Sequence, residues 1–215
     1  MGKVQKSVYS IVLSDDVVAC IDRLAYANGT SRSNMINQIL AEHVSYTTPE
    51  KRRGDIFSKA VEMINAMDQL QVMLRPSDTL LSVKSALSYK YNPTVRYSIE
   101  LYKNSSALGQ LRVTLRTQNT SLVALMNSFF ALWTQIEAGL SDPPQAEYGE
   151  GRYSRMLRRP DSADEQAIAK AIVSYVETMD TAMKSFFSDM GRGLDPSSGA
   201  AKIYSDYANK STLLL

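Results

Sequence analysis

Hydrophobic positions recur with two different periods along this chain, and the first change of period falls within the opening 46 residues. From Ser7 to Leu13 the side chains alternate, with Tyr9, Ile11 and Leu13 on one side and Val8, Ser10 and Val12 on the other. That pattern predicts a strand. The spacing then turns helical through Val17, Ile21 and Leu24, with Ser14 placed as cap and Asp15 and Asp16 in the first turn, where the helix dipole favours carboxylates. Asn28-Gly29 ends this helix, since glycine accepts the left-handed backbone of a helix C-terminus. Ser31 caps a second helix carrying Met35, Ile36, Ile39, Leu40 and Val44 on one stripe. One strand and two short helices cannot bury a core alone, so the missing half is expected from a second copy of the chain.

The segments YSIVLS, IDRLAYANG and GTSRSNMINQIL, in that order, resemble the ribbon-helix-helix family, the fold of the MetJ and Arc repressors and of small plasmid copy-number regulators. The resemblance runs from about Ser7 to Val44. It implies an intertwined homodimer in which two strands pair as an antiparallel ribbon and enter the major groove of double-stranded DNA. On this sequence it assigns base contacts to Lys6, Val8, Ser10 and Val12. It assigns phosphate contacts to Lys3, Ser31, Arg32 and Ser33, the last three at a helix N-terminus whose free N–H groups suit an anion. The valines depart from the usual polar ribbon and offer the bases only apolar contact, suited to thymine methyls. Lys3, Lys6, Arg23 and Arg32 are cancelled by Asp15, Asp16, Asp22 and Glu42, so the module carries no net charge. A module kept only for dimerisation is therefore the competing reading.

Thr47 to Gly54 (TTPEKRRG) reads as a basic linker, in which Lys51, Arg52 and Arg53 lie beside the module. Residues 55–215 are expected to form an α+β domain, mainly helical, around a three-stranded antiparallel meander. A helical stripe from Asp55 to about Leu74 (Ile56, Phe57, Ala60, Met63, Ile64, Met67, Leu70, Leu74) closes at Arg75-Pro76. The three strands bury Leu81, Val83, Leu87, Tyr89 and Tyr91, then Val95, Tyr97, Ile99 and Leu101, then Leu111, Val113 and Leu115. Their wet face presents Lys84, Lys90, Arg96, Arg112 and Arg116 against Glu100 alone. A helix follows from Asn119 or Thr120 through Trp133. Ser141 to Ala163 reads as a long polar connection holding Arg152, Arg155, Arg158 and Arg159, either a secondary basic surface or a solvated tether. A long helix from Ala163 to about Met190, a shorter one around Ala200 to Ala208, and the tail Leu213-Leu214-Leu215 complete the chain.

Net charge is only +2, so any polyanion footprint has to be local. One cysteine, Cys20, excludes an intrachain disulfide, and no apolar run is long enough to span a membrane. One histidine, His43, does not make a metal site, and no phosphate loop, nucleophile elbow or His–carboxylate pair is visible. No enzymatic activity, cofactor or membrane partner is expected. The sequence points to a cytoplasmic, homodimeric or higher-order DNA-binding protein, a transcriptional repressor first. A plasmid partition or relaxosome accessory protein, or a dimeric scaffold, are the alternatives. A protein partner or ligand of the larger domain is left open.

Overall fold

The computed structural model describes residues 8–73, 77, 79–89, 92–103 and 105–215. The chain divides into two compact units, residues 1–52 and 53–215. In the first, α1 (Asp15–Ala27) starts after Ser14, which makes no side-chain capping hydrogen bond, and α2 (Arg32–His43) is capped by Ser31, whose side chain accepts from the Asn34 N–H. Gly29 takes φ +60 after α1, and the N–H groups of Gly29 and Thr30 close back on the carbonyls of Tyr26 and Ala25. The same closure ends α2, where Ser45 (φ 55) and Tyr46 donate to Glu42 and Ala41. Both ends satisfy carbonyls that the helix leaves open.

The predicted N-terminal strand is corrected. Residues 8–14 carry neither strand nor helix in the single chain, and Ser7 lies outside the described residues. The physical reason is that an isolated strand has no hydrogen-bonding partner. The unit's own core is Ile21, Ala25 and Met35, with Ile36 packed against them.

The second unit corrects the expected three-stranded meander. Its sheet has six antiparallel strands in the order β1-β2-β3-β4-β6-β5. These are β1 (Gln71–Val72), β2 (Leu80–Ala86), β3 (Thr94–Leu101), β4 (Ala107–Leu115), β5 (Ala146–Gly149) and β6 (Arg152–Arg158). The expected positions Leu81, Val83, Leu87, Val95, Tyr97, Ile99, Leu101, Leu111, Val113 and Leu115 are buried, but β2 ends at Ala86, so Leu87 and a half-buried Tyr89 lie beyond the strand. Tyr91 lies outside the described residues. The supposed polar connection is a hairpin, β5 and β6 turning on Glu150 (φ 52) and Gly151 (φ 72). Positive φ at both central residues matches the right-handed twist of paired strands. The β4–β6 register shifts between Ala107 and Gly109, and Gly109 lies so close to β3 that a Cβ there would be 2.0 Å from the Glu100 carbonyl oxygen.

Helix α3 (Pro49–Asn65) begins earlier and stops sooner than its stripe suggested, taking in most of the supposed linker. Thr48 accepts the Lys51 N–H, and proline at the first helical position loses no hydrogen bond. The helices α4 (Thr120–Ala138), α5 (Glu165–Gly191) and α6 (Pro196–Lys210) share one core with the apolar sheet face. Asn119 and Asp164 cap α4 and α5 through their side chains, accepting from the Leu122 and Ala167 N–H groups. Phe129, Phe130, Trp133, Tyr153 and Tyr175 are wholly buried at its centre. Among the described residues no helix is long and apolar enough to cross a membrane.

Candidate nucleic-acid interface

The head displays more apolar surface than it buries. Along residues 8–13 the two parities differ: Val8 and Val12 are 98% and 102% exposed, whereas Tyr9, Ile11 and Leu13 fall from 83% to 56% to 37%. All of residues 8–13 are exposed; Val8 and Val12 are fully open, the odd positions become less exposed toward α1, and no strand fixes the predicted faces. Val17 and Leu24 of α1, and Ile39, Leu40 and Val44 at α2, are exposed as well. Of the residues assigned to base contact, Val8, Ser10 and Val12 are exposed; Lys6, like Lys3, falls outside the described residues.

The phosphate-contact assignment meets a competitor. Arg32 donates from Nε and Nη2 to Asp22 Oδ1 and Oδ2, both at 2.6 Å, in a two-pronged pair joining α2 to α1. The hydrogen bond from Arg32 holds the Asp22 carboxyl below its ordinary pKa. Both side chains are about half exposed, at 57% and 44%, so solvent screens the pair and an anion can displace Asp22. Ser31 Oγ accepts the Asn34 N–H at 3.3 Å, and Ser33 is exposed beside it. Lys51 pairs with Glu42 at 3.0 Å, and Arg52 is exposed.

The secondary basic surface is redistributed. Arg53 is buried and leaves it. The alternation of β6 sends Arg152 and Arg158 to the open sheet face and Arg155 into the core. Arg159 donates to the carbonyls of Ser105, Tyr102 and Ala107, which ties down a turn, and Arg158 pairs with Asp142 at 2.6 Å.

Arg155 instead belongs to a buried polar cluster that sequence reasoning missed. Its Nε lies 3.0 Å from Glu137 Oε1, with both side chains 3% exposed or less, and its guanidinium sits 4.4 Å from the centre of the Tyr175 ring. Tyr153 donates to Glu137 Oε2 at 2.8 Å, Tyr175 to Oε1 at 3.0 Å, and Trp133 Nε1–H to the Tyr175 hydroxyl at 2.8 Å. Burial pushes the Tyr153 and Tyr175 hydroxyls well up, and the Glu137 charge adds to the effect. A signal was present: Glu137 extends the Phe130–Trp133 stripe by one further turn, which places a carboxylate on the core side of α4. Similarly, Tyr97 donates to buried Asp180 at 3.0 Å, and Lys184 pairs with the other Asp180 oxygen at 2.7 Å. Comparison with family models, curated proteins and solved structures finds no match to this chain.

Proposed function

We propose that this chain is a sequence-specific DNA-binding protein that acts as a homodimer, with transcriptional repression by operator occupancy as its role. Two N-terminal arms pair through Tyr9, Ile11 and Leu13, and the opposite side chains, Val8, Ser10 and Val12, lie along the major groove. What carries this reading is the unburied apolar surface of the head, from Ile11 and Leu13 through Val17, Leu24, Ile39 and Leu40. So many exposed apolar side chains in so small a unit call for a partner, and the arm of a second copy would supply one. A ribbon with valines at its reading positions selects thymine-rich sites through methyl contacts.

A second reading, a scaffold whose head only dimerises, is favoured by one observation: Asp22 occupies the guanidinium of Arg32. Selection of bound fragments from genomic DNA, run alongside sedimentation, separates the two. The DNA reading expects a dimer that enriches a discrete sequence, a change of that sequence in Ser10→Arg, and loss of the dimer in Ile11→Asp. A dimer that enriches nothing leaves the scaffold. A chain that stays monomeric at every concentration refutes both.

A further inference from the structure

The open face of the sheet carries a cationic cluster that the head does not use. Strand register sets Lys84 of β2 opposite Arg96 of β3, Arg96 opposite Thr114 of β4, and Thr114 opposite Arg152 of β6. In the adjoining row, Ser98 is opposite Arg112 and Arg112 is opposite Ser154. Directly opposed and diagonal residues on one sheet face are neighbours. Thr114 is therefore bordered by Arg96, Arg112 and Arg152, with the Ser98 and Ser154 hydroxyls beside them. A shallow, open depression of about 420 Å³ lies over this end of the face, lined by Arg112, Thr114, Glu147, Arg152 and Ser154 among others. Arg112 pairs with Glu100 at 3.0 Å, both well exposed, a contact that salt and competing anions screen. Among the described residues, Lys84, Arg96 and Arg152 have no carboxylate in ion-pair contact.

We propose that this face binds the phosphate backbone of duplex DNA, independently of how the head reads sequence. Guanidinium forks interleaved with hydroxyls are the donors that fix phosphates. The cationic row crosses from β2 to β6, three strand spacings or about 14 Å, which suits successive phosphates better than one. The surface is open, which fits a polymer and not an enclosed small molecule. Half-exposed Tyr148 and buried Tyr153 also line the depression, but the open-face positions of β2, β3, β4 and β6 are all non-aromatic, so one exposed ring stands where single-strand binders use a succession of them. The backbone of a duplex is the polyanion left.

The test uses the full chain and a random-sequence DNA duplex, with log affinity measured against log salt concentration. Arg96→Gln/Arg152→Gln is expected to lower the slope by about 2, one per lost phosphate contact, while Arg96→Lys/Arg152→Lys retains it. Matched thermal melts show that both variants fold. An unchanged slope in the glutamine variant overturns the proposal, and Arg32→Ala in parallel reports on the head. If only Arg32→Ala lowers the slope, the head reading stands and this one fails; if only the sheet variant does, the reverse holds. Loss of single-stranded DNA or polyglutamate binding with duplex binding intact also overturns it.

Discussion

Replacing Glu137 with alanine strips Arg155 of its only carboxylate partner among the described residues, within a core where neither is more than 3% exposed. Burial alone would lower the Arg155 pKa, yet the surrounding phenols and Glu137 leave it raised, so the guanidinium stays charged in the fold. Breaking a buried pair by removing one partner costs about 3–5 kcal/mol. Tyr153 and Tyr175 also lose their acceptor. At about 2–4 °C per kcal/mol for a unit of this size, the melting midpoint should drop by roughly 6–20 °C. Removing both charges, as Glu137→Leu/Arg155→Met, leaves no orphaned ion, and such swaps are often close to neutral. The remaining deficit is the two phenols, about 1–3 kcal/mol each at most. The double variant should therefore melt above Glu137→Ala. Trp133, the one tryptophan, is hydrogen-bonded to Tyr175 and reports unfolding of this cluster by fluorescence, with far-ultraviolet circular dichroism as the second probe. A double variant melting at or below the single, or a single-variant shift under about 2 °C, would refute the assignment of the pair as a coupled buried unit.

Three further outcomes follow from named contacts. Asp22→Asn releases Arg32 and should raise non-specific duplex affinity several-fold in anisotropy titrations; adding Arg32→Ala should cancel the gain, and no gain would place Arg32 away from phosphate. The Tyr97, Tyr153, Tyr175, Tyr204 and Tyr207 hydroxyls are all raised, chiefly by burial. Their folded pKa values exceed the unfolded value near 10, so urea stability should hold below about pH 10 and decline above it. Phenolate absorbance from these groups should emerge only with unfolding, and full ionisation of the native protein would contradict the burial. Gly109→Ala forces β4 from the Glu100 carbonyl and should cost about 1–3 kcal/mol by chemical denaturation, whereas Gly149→Ala, with nothing within 4 Å of the new Cβ, should stay near the parent; equal midpoints would refute the close approach.

The parts of this fold that could be read from the sequence are those in which one face is uniformly apolar. In β3, the buried positions Val95, Tyr97, Ile99 and Leu101 alternate with Thr94, Arg96, Ser98 and Glu100, and nothing masks the period. The stripe and cap of α4 are as plain. Strand β6 was hidden because arginine occupies both faces: Arg152 and Arg158 outside, Arg155 inside. A charged residue at a core position cancels the alternation, and its partner Glu137 lies on another element, beyond any local pattern. The Gly149-Glu150-Gly151 turn was the available sign of a hairpin. Pro49 alone fits either end of a helix, and Thr48 ahead of it, accepting the Lys51 N–H, marks a start. In the head, the two helices and the Ser31 cap were legible, but the arm forms no strand and the Arg32–Asp22 pair depends on how two helices cross.

The two units differ in how much of their apolar surface a single chain covers. Residues 53–215 bury Trp133, Phe129, Phe130 and the apolar sheet face within one chain. The head's buried cluster is Ile21, Ala25 and Met35, and its arm and the Leu24, Ile39 and Leu40 positions stand in water. A unit stabilised only by association has a stability that rises with protein concentration, while a self-contained unit does not. Under the proposed dimeric reading, the chain should melt in two steps, of which only the head's moves on dilution. DNA occupancy should then rise with nearly the square of protein concentration below the dimer dissociation constant and linearly above it. A single concentration-independent transition, or first-order occupancy throughout, is what a head complete in one chain would give, and Ile11→Asp should change neither.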